Sequence, residues 1–397
     1  MSYQRGDRMT LIYPFEPPTA IDPPPEWERL RAECPVAHVR TDAEGDALLL
    51  TRYEDVRNLL SDPRFTRRTA ADGTAGAMGG APSFMTDQGE HMRWRRLLSR
   101  SFTAKRMTAL QTRIAAIAHQ LIDAMVKQGP PADLRTALGF PLPVYVICDL
   151  LGVPAADREK FAYWSDRFLN LTRFSAGEVR ASGEQMWEYM VGHVRAKRDD
   201  PGDDLLSELV TVVDAEDGRL SETELVFTGQ ALLVAGHETT ANMIGKMVAM
   251  LLADRSRWEQ LIQDPGLVRT AVEEVLRFDA NLGFGMHRHI TERIEIAGTT
   301  IEPGTTVLSS MPSANRDENV FACPAEMDLA RSPNPHLTFG AGPHSCLGQS
   351  LARVELQTVL AVLLERLPAL ELAVEVPELR RREGLLVGGL EEVPVRW

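Results

Sequence analysis

Apolar residues recur three and four positions apart over most of the chain, a spacing that places them on one face of an α-helix. The segments with this spacing cover about 90–127, 155–170, 177–199, 221–254, 266–279 and 346–366. Two segments alternate apolar and polar residues instead: 36–53, around an Asp/Gly turn, and 293–310, with Gly298 and Gly304 at turns. The pattern therefore predicts a mainly α protein with small β-sheets.

Neither an internal repeat nor a long Ser/Gly linker divides the chain, so we expect a single domain over residues 1–397. The one stretch of low complexity, residues 69–83, is small and Gly-rich. Two interpretations stay open for it: a surface loop, or a lid over a binding site.

Composition narrows the class of protein. The chain is 44% hydrophobic and 25% charged, as in ordinary globular proteins, and its net charge of −13 disfavours binding to nucleic acid or an anionic membrane. The most apolar stretch, 231–253, contains His237, Glu238, Asn242 and Lys246 and so predicts a buried helix rather than a membrane span. The polar, Pro-rich start predicts a cytoplasmic protein, and the four scattered cysteines disfavour a disulfide framework and a structural zinc site. We also expect a monomer.

One cysteine stands in a distinctive context. Gly340, Gly342 and Gly348 surround Cys346, just before a helix that is predicted to begin near Gln349. The glycines allow backbone amides to approach the sulfur, and a helix N-terminus favours the thiolate over the thiol. A thiolate bound to haem iron promotes cleavage of the O–O bond. A buried structural cysteine and a nucleophilic cysteine remain alternatives, whereas a dinucleotide loop is disfavoured because Pro343 interrupts it.

The segment 235–240, AGHETT, places a glycine and two threonines inside a predicted helix, where glycine costs about 1 kcal/mol relative to alanine. Gly236 fits either a close helix crossing or a space for O2. In the second interpretation Glu238 and Thr239 form an acid–alcohol pair that relays protons. In the first, the threonine hydroxyls bond back to the preceding turn.

These motifs together resemble the cytochrome P450 family over nearly the whole chain. Phe339, Gly342, His344, Cys346 and Gly348 fill the family's ten-residue signature, Phe-x-x-Gly-x-(Arg/His)-x-Cys-x-Gly, without a gap. Residues 235–240 match its Ala/Gly-Gly-x-Asp/Glu-Thr-Thr motif. The resemblance is greatest to soluble bacterial members that tailor macrolides and polyketides. It implies the P450 fold, with haem b between the long central helix and the helix that follows the cysteine loop.

The resemblance also implies roles for particular residues. Cys346 is the expected axial ligand of the iron, in a loop that includes Phe339, Gly340 and Gly348. Cationic partners for the two haem propionates are needed, because an unpaired buried carboxylate is costly. The expected partners are His344, Arg288, and His91 with Arg95 on one helix face. Gly236, Glu238 and Thr239 are the expected residues of O2 activation.

Glu274 and Arg277 match the family's structural Glu-x-x-Arg pair. The chain departs from the pattern where the family adds an arginine in Pro-x-Arg-Phe, since residues 324–327 read PAEM. Both His336 and Arg331 are candidates for the missing partner.

The same resemblance implies that separate proteins supply the electrons. No flavin or iron–sulfur domain is evident, so electrons from NAD(P)H are expected through a separate ferredoxin and ferredoxin reductase. Six basic residues lie between Glu90 and Met107, which is consistent with either a solvated helix face or a docking patch for an acidic donor. The expected pocket is mostly small or apolar and implies a hydrophobic substrate; its residues are Met85, Leu232, Ala235, Leu282, Phe284, Met286, Leu386 and Val387.

The sequence thus predicts a haem-thiolate monooxygenase that hydroxylates or epoxidises a hydrophobic secondary metabolite, such as a polyketide, macrolide or terpenoid. Oxidative coupling or rearrangement on the same haem is an alternative. A haem sensor without turnover and a non-haem helical protein with a reactive Cys346 are alternatives from other classes.

Overall fold

The computed structural model describes residues 11–41, 45–62, 87–168, 174–211, 218–279, 286–382 and 388–397. Within these ranges the α-helices are α1 (Glu26–Glu33), α2 (Tyr53–Ser61), α3 (Gln88–Ser99), α4 (Ala104–Ala109), α5 (Gln111–Gln128), α6 (Pro141–Leu150), α7 (Arg158–Phe168), α8 (Ala176–Asp199), α9 (Leu205–Thr211), α10 (Glu222–Leu252), α11 (Arg255–Gln263), α12 (Val268–Phe278), α13 (Met311–Ala314) and α14 (Gln349–Arg366). The strands are β1 (Leu11–Ile12), β2 (Val36–Thr41), β3 (Gly45–Leu50), β4 (Ala132–Asp133), β5 (Met286–His289), β6 (Ile294–Ile296), β7 (Thr299–Ile301), β8 (Thr306–Ser309), β9 (Glu371–Leu372), β10 (Arg381–Arg382), β11 (Gly389–Leu390) and β12 (Pro394–Arg396). The predicted class, mainly α with small sheets, is confirmed.

The chain forms two compact units. The first consists of Met1–Arg68 and Glu273–Cys346, and the second of Thr69–Val272 and Leu347–Trp397. The expectation of a single domain over residues 1–397 stays a prediction.

A five-stranded sheet organises the first unit, in the order β1-β2-β3-β8-β5. The predicted hairpin is confirmed: β2 and β3 are antiparallel, with Val36 opposite Leu50 and Thr41 opposite Gly45. Along β3, Leu48 and Leu50 join one apolar cluster, whereas Leu49 packs with Trp27 in another. Because successive side chains of a strand point to opposite faces, both faces of this sheet are covered. This double burial explains why β3 ends in a continuous run of leucines.

The second unit is built around α10. Its start is fixed by a capping box, in which the Ser221 hydroxyl accepts from the Glu224 amide and the Glu224 carboxylate accepts from the Ser221 amide. Every residue from Thr240 to Leu252 is buried, and α6, α8 and α14 all pack against α10. The buried helix predicted for residues 231–253 is therefore confirmed. Among the described residues, none of the helices has the length and apolar character that crossing a membrane requires.

The helical pattern differs from the prediction in several places, since α1, α2, α6, α9, α11 and α13 lie outside the predicted segments. The single pattern over 90–127 is divided into α3, α4 and α5. The start of α4 is fixed by the Thr103 hydroxyl, which accepts from the Arg106 amide. The pattern did not reveal α6, whose sequence PLPVYVICDL is apolar on nearly every side and has no polar face to mark a period.

A buried carboxylate forms the polar centre of the first unit. Glu274 and Arg277 are both fully buried, and Arg277 donates Nη2 to Glu274 Oε1 at 2.7 Å and Nε to Oε2 at 2.8 Å. Glu274 also accepts the Asp328 amide at 2.9 Å and Asn334 Nδ2 at 3.1 Å. These donors satisfy a charge that would otherwise be costly to bury.

The second arginine of this cluster is Arg331. Its Nε lies 3.1 Å from Glu274 Oε1 and 3.0 Å from Oε2. His336 instead contacts the neighbouring carboxylate, with Nε2 3.0 Å from Glu273 Oε2. Of the two candidates that the sequence left open, Arg331 is therefore the one that contacts Glu274. It replaces the arginine that the family has at the position of Glu326.

Replacing Arg331 by Ala should lower the free energy of unfolding by about 3–5 kcal/mol, because removal of one partner leaves part of the buried charge uncompensated. Denaturant titration measures the loss.

The matched control is Arg293→Ala, which breaks a surface pair with Glu302 whose side chains are 71% and 63% exposed. This change should cost about 0–1 kcal/mol. An equal cost for the two substitutions would contradict the role given to Arg331.

Candidate functional site

The cysteine loop has a tightly fixed backbone. The Cys346 amide donates to the Phe339 carbonyl at 2.7 Å, and the Gly340 amide donates to the Leu337 carbonyl at 2.7 Å. Cys346 itself is exposed, and α14 begins three residues later at Gln349, as the sequence predicted. The loop therefore presents a thiol from a defined position ahead of a helix.

Two glycines make this loop possible. Gly340 and Gly342 have φ values of 72° and 68°, in the left-handed region that favours glycine. A β-carbon on Gly342 would lie 2.5 Å from Ser61 Cα, so the loop rests directly on the backbone at the end of α2. Gly348 has room for a side chain, since the space around it is open. Packing within the described structure therefore does not explain why the signature has a glycine at position 348.

The first unit also supplies cationic side chains. Arg288 lies on β5, paired with Val307 of β8, and is only 1% exposed. A guanidinium at this depth calls for anionic or carbonyl acceptors. His344 ends the short turn Gly342–His344 of the cysteine loop and is half-buried.

The second unit places His91 and Arg95 on α3, both half-buried and four residues apart on one helix face. The helix is anchored to α10 by other residues. Trp94 Nε1 donates to Thr228 Oγ1 at 2.8 Å, and Arg93 forms an ion pair with Glu224.

A short face of α10 is open, although the helix is otherwise largely buried. Ala235 and Thr239 are exposed, and Leu232, on the same face, is half-buried. Thr239 Oγ1 donates to the Ala235 carbonyl at 2.7 Å. The open face is therefore small and weakly polar, with one hydroxyl.

Gly236 lies against α6. A β-carbon there would come within 3.3 Å of Ile147 Cδ1, a tight contact. The close helix crossing that the sequence left open is thus present, and the role of Gly236 toward O2 stays a prediction.

Glu238 is only 2% exposed. Its Oε1 lies 3.3 Å from Arg382 Nη1, and Arg382 Nη2 donates to Asp166 Oδ1 at 2.7 Å. Burial raises the pKa of Glu238 to about 7, an effect that Arg382 opposes and Asp166 reinforces. Near neutral pH this carboxyl can therefore both take up and release a proton.

Arg382 and Asp166 had not been singled out from the sequence. Along the chain, Arg382 is 144 residues from Glu238 and 216 residues from Asp166, so no local sequence pattern links the three residues. Five predicted pocket residues lie outside the described residues and stay predictions: Met85, Leu282, Phe284, Leu386 and Val387. The same holds for residues 69–83, and for Met286 only the strand backbone is described.

The basic segment on α3 and α4 is partly used in ion pairs. Arg93 contacts Glu90 and Glu224, and Arg106 contacts Glu208 at 2.5 Å. Arg96, Arg100 and Lys105 are exposed. At least two of the six basic residues therefore pair with carboxylates of this chain, which reduces the net positive charge of this surface.

The chain matches a protein-family model and is similar to named proteins over nearly its whole length. The family model described as cytochrome P450 matches residues 140–387. The chain is 42% identical to nocardicin C N-oxygenase of Nocardia uniformis subsp. tsuyamanensis, over 98% of this chain and 99% of that protein. It is 40% identical to mycinamicin IV hydroxylase/epoxidase of Micromonospora griseorubida, over 97% and 98% of the two chains.

Solved structures resemble the whole chain as well. The mixed-function P450 MycG has a TM-score of 0.90 at 40% identity, covering 98% of this chain and 100% of the other. The putative thioether synthase SgvP, involved in the tailoring step of griseoviridin, has a TM-score of 0.88 at 41% identity, covering 98% of this chain and 100% of the other. Matches of this length and identity show that the chain belongs to the cytochrome P450 family and is a haem-thiolate monooxygenase that uses O2.

Proposed function

We propose that this enzyme inserts one oxygen atom of O2 into a hydrophobic secondary metabolite, by hydroxylation or epoxidation, with Cys346 as the ligand of haem b. The observation that carries the proposal is the loop around Cys346, which presents an exposed thiol on a backbone fixed by the Phe339 carbonyl and by Gly342. A soft thiolate ligand of this kind gives haem iron its capacity for O–O cleavage.

Nitrogen-bearing side chains in each of the two units suit an anionic cofactor. Arg288 is a buried guanidinium, and His344 belongs to the cysteine loop itself. His91 and Arg95 present two further nitrogen-bearing side chains from one face of α3. We assign these four residues to the haem propionates, since carboxylates removed from water need cationic or hydrogen-bonding partners.

Thr239 and Glu238 handle protons in this proposal. Thr239 Oγ1 is exposed on the open face of α10 and can pass a proton while it is oriented by the Ala235 carbonyl. Glu238, on the adjacent position, can reload it because its pKa is raised by burial to about 7. A sensor without turnover has no use for such a pair.

The substrate class rests on two lines of support. The described part of the expected pocket, Leu232 and Ala235, is apolar and small. Named relatives act on nocardicin C and on mycinamicin IV. The relatives' reactions also differ, so N-oxygenation and thioether formation stand beside oxidative coupling and rearrangement as alternatives to hydroxylation.

Electrons come, in this proposal, from NAD(P)H through a ferredoxin reductase and an acidic ferredoxin. The exposed basic residues Arg96, Arg100 and Lys105 offer a surface of opposite charge on a chain of net charge −13. Association should therefore weaken as ionic strength rises.

Replacing Cys346 by Ala should abolish the long-wavelength Soret band of the reduced carbon monoxide complex, because that band depends on the thiolate ligand. Absorption spectroscopy of the purified protein with haem measures it. Cys34→Ala is the control, since Cys34 is also an exposed cysteine and its loss should leave the band in place. A thiolate band that survived Cys346→Ala would refute the ligand assignment.

Replacing Thr239 by Ala should keep this band and raise the share of reducing equivalents released as hydrogen peroxide several-fold, because the hydroxyl that delivers protons is lost. Peroxide and NAD(P)H are measured together during turnover of an accepted substrate. Thr239→Ser retains a hydroxyl and should restore coupling. Unchanged coupling in Thr239→Ala would exclude this residue from proton delivery.

A further inference from the structure

A single guanidinium lies between two carboxyl groups in the second unit. Arg382 of β10 donates Nη2 to Asp166 of α7 at 2.7 Å and lies 3.3 Å from Glu238 Oε1 through Nη1. The side chains of Glu238, Arg382 and Asp166 are 2%, 10% and 22% exposed. Exposure to solvent therefore increases from Glu238 on α10 through Arg382 to Asp166.

The strand that carries Arg382 is held against α10 at a second point. β10 pairs with β11, and Arg382 is opposite Gly389 in this pairing. A β-carbon on Gly389 would collide with the side chain of Asn242, which lies four residues after Glu238 on α10. Because positions four apart share a helix face, Glu238 and Asn242 both face this strand pair. The packing of Gly389 against the Asn242 side chain thus holds the β10–β11 pair, which carries Arg382, beside α10.

Among the described residues, the other charged and titratable groups around Glu238 are Arg135 and His237. Arg135, in the π-helical turn Arg135–Gly139, interacts electrostatically with Glu238, Asp166 and Arg382, and burial lowers its pKa. Burial lowers the pKa of His237 to about 3, so this ring is neutral near pH 7 and adds no charge. Within the described part of the chain, two cations therefore interact with two carboxyl groups.

We propose that Arg382 and Asp166 are positioning residues for the carboxyl group of Glu238, and that their competing contacts set the pH range in which Glu238 exchanges protons. Arg382 holds Glu238 Oε1 toward β10, and Asp166 draws the same guanidinium toward α7. The proposal rests on the relay role given to Glu238 above.

The two residues act on Glu238 in opposite directions. Arg382 favours the ionised carboxylate, because an opposite charge at hydrogen-bonding distance stabilises it. Asp166 favours the protonated form, since it adds a negative charge and takes the shorter bond to the guanidinium. Loss of Arg382 should therefore make Glu238 hold its proton more tightly, and loss of the Asp166 charge should make it hold the proton less tightly.

The test compares Arg382→Gln with Asp166→Asn in the holoenzyme. The infrared band of the protonated Glu238 carboxyl, assigned by its disappearance in Glu238→Gln, is titrated against pH in each variant. We expect the midpoint to move upward by about one pH unit in Arg382→Gln and downward by a similar amount in Asp166→Asn. Arg382→Lys, which keeps the charge, should stay nearer the wild-type midpoint.

Two controls isolate the contacts from overall charge. Arg380→Gln removes an exposed positive charge two residues from Arg382, and Glu159→Gln removes an exposed negative charge from α7. Neither should move the midpoint appreciably. Shifts of the same sign in Arg382→Gln and Asp166→Asn, or no shift in either, would overturn the proposal. If Arg382→Gln fails to fold, the presence or absence of a downward shift in Asp166→Asn decides the proposal by itself.

The pH dependence of coupling separates this inference from the proposed function. If the infrared midpoints move as expected and the pH profile of peroxide release moves with them, both are supported. If the midpoints move but coupling does not follow, Arg382 and Asp166 still position Glu238, and the relay role of Glu238 is wrong.

Discussion

The carboxylate of Glu274 has no access to solvent, and much of the first unit is arranged around keeping it hydrogen-bonded. Moving such a charge out of water costs several kcal/mol unless strong donors replace the water molecules. Arg277 comes from the same helix, whereas Arg331, Asn334 and the Asp328 amide come from the segment that leads to the cysteine loop. Satisfying one buried charge therefore also fixes the course of the chain ahead of Phe339.

Glu238 in the second unit shows what happens when a buried carboxyl is satisfied less completely. It shares one arginine with Asp166, at a longer distance than the one between Glu274 and Arg277. Burial then outweighs the attraction, and the pKa of Glu238 rises to about 7. The same residue type thus serves a structural purpose where its donors are numerous and becomes suited to proton exchange where they are few.

Much of the fold could be predicted from the sequence, because α8, α10, α12 and α14 have long, regular patterns and the hairpin of β2 and β3 alternates around a turn. The pattern was insufficient for α6, which is apolar on nearly every side, and for the break between α3 and α4, where Thr103 caps a new helix. The choice between Arg331 and His336 required three-dimensional contacts, since both follow α12 at similar distances in sequence. Arg382 and Asp166 could not have been found at all, because only the tertiary structure brings β10 and α7 to Glu238.

The contact between Gly342 and the end of α2 makes the two sides of that contact unequal in their tolerance of substitution. At Gly342 the missing β-carbon is what allows the approach, so alanine and every larger residue are excluded. At Ser61 the contact is made by the backbone, and the residue is exposed, so many side chains are compatible with it. Variation among natural sequences should therefore accumulate at position 61 while the length of α2 is preserved, because lengthening or shortening that helix would move the surface on which the cysteine loop rests.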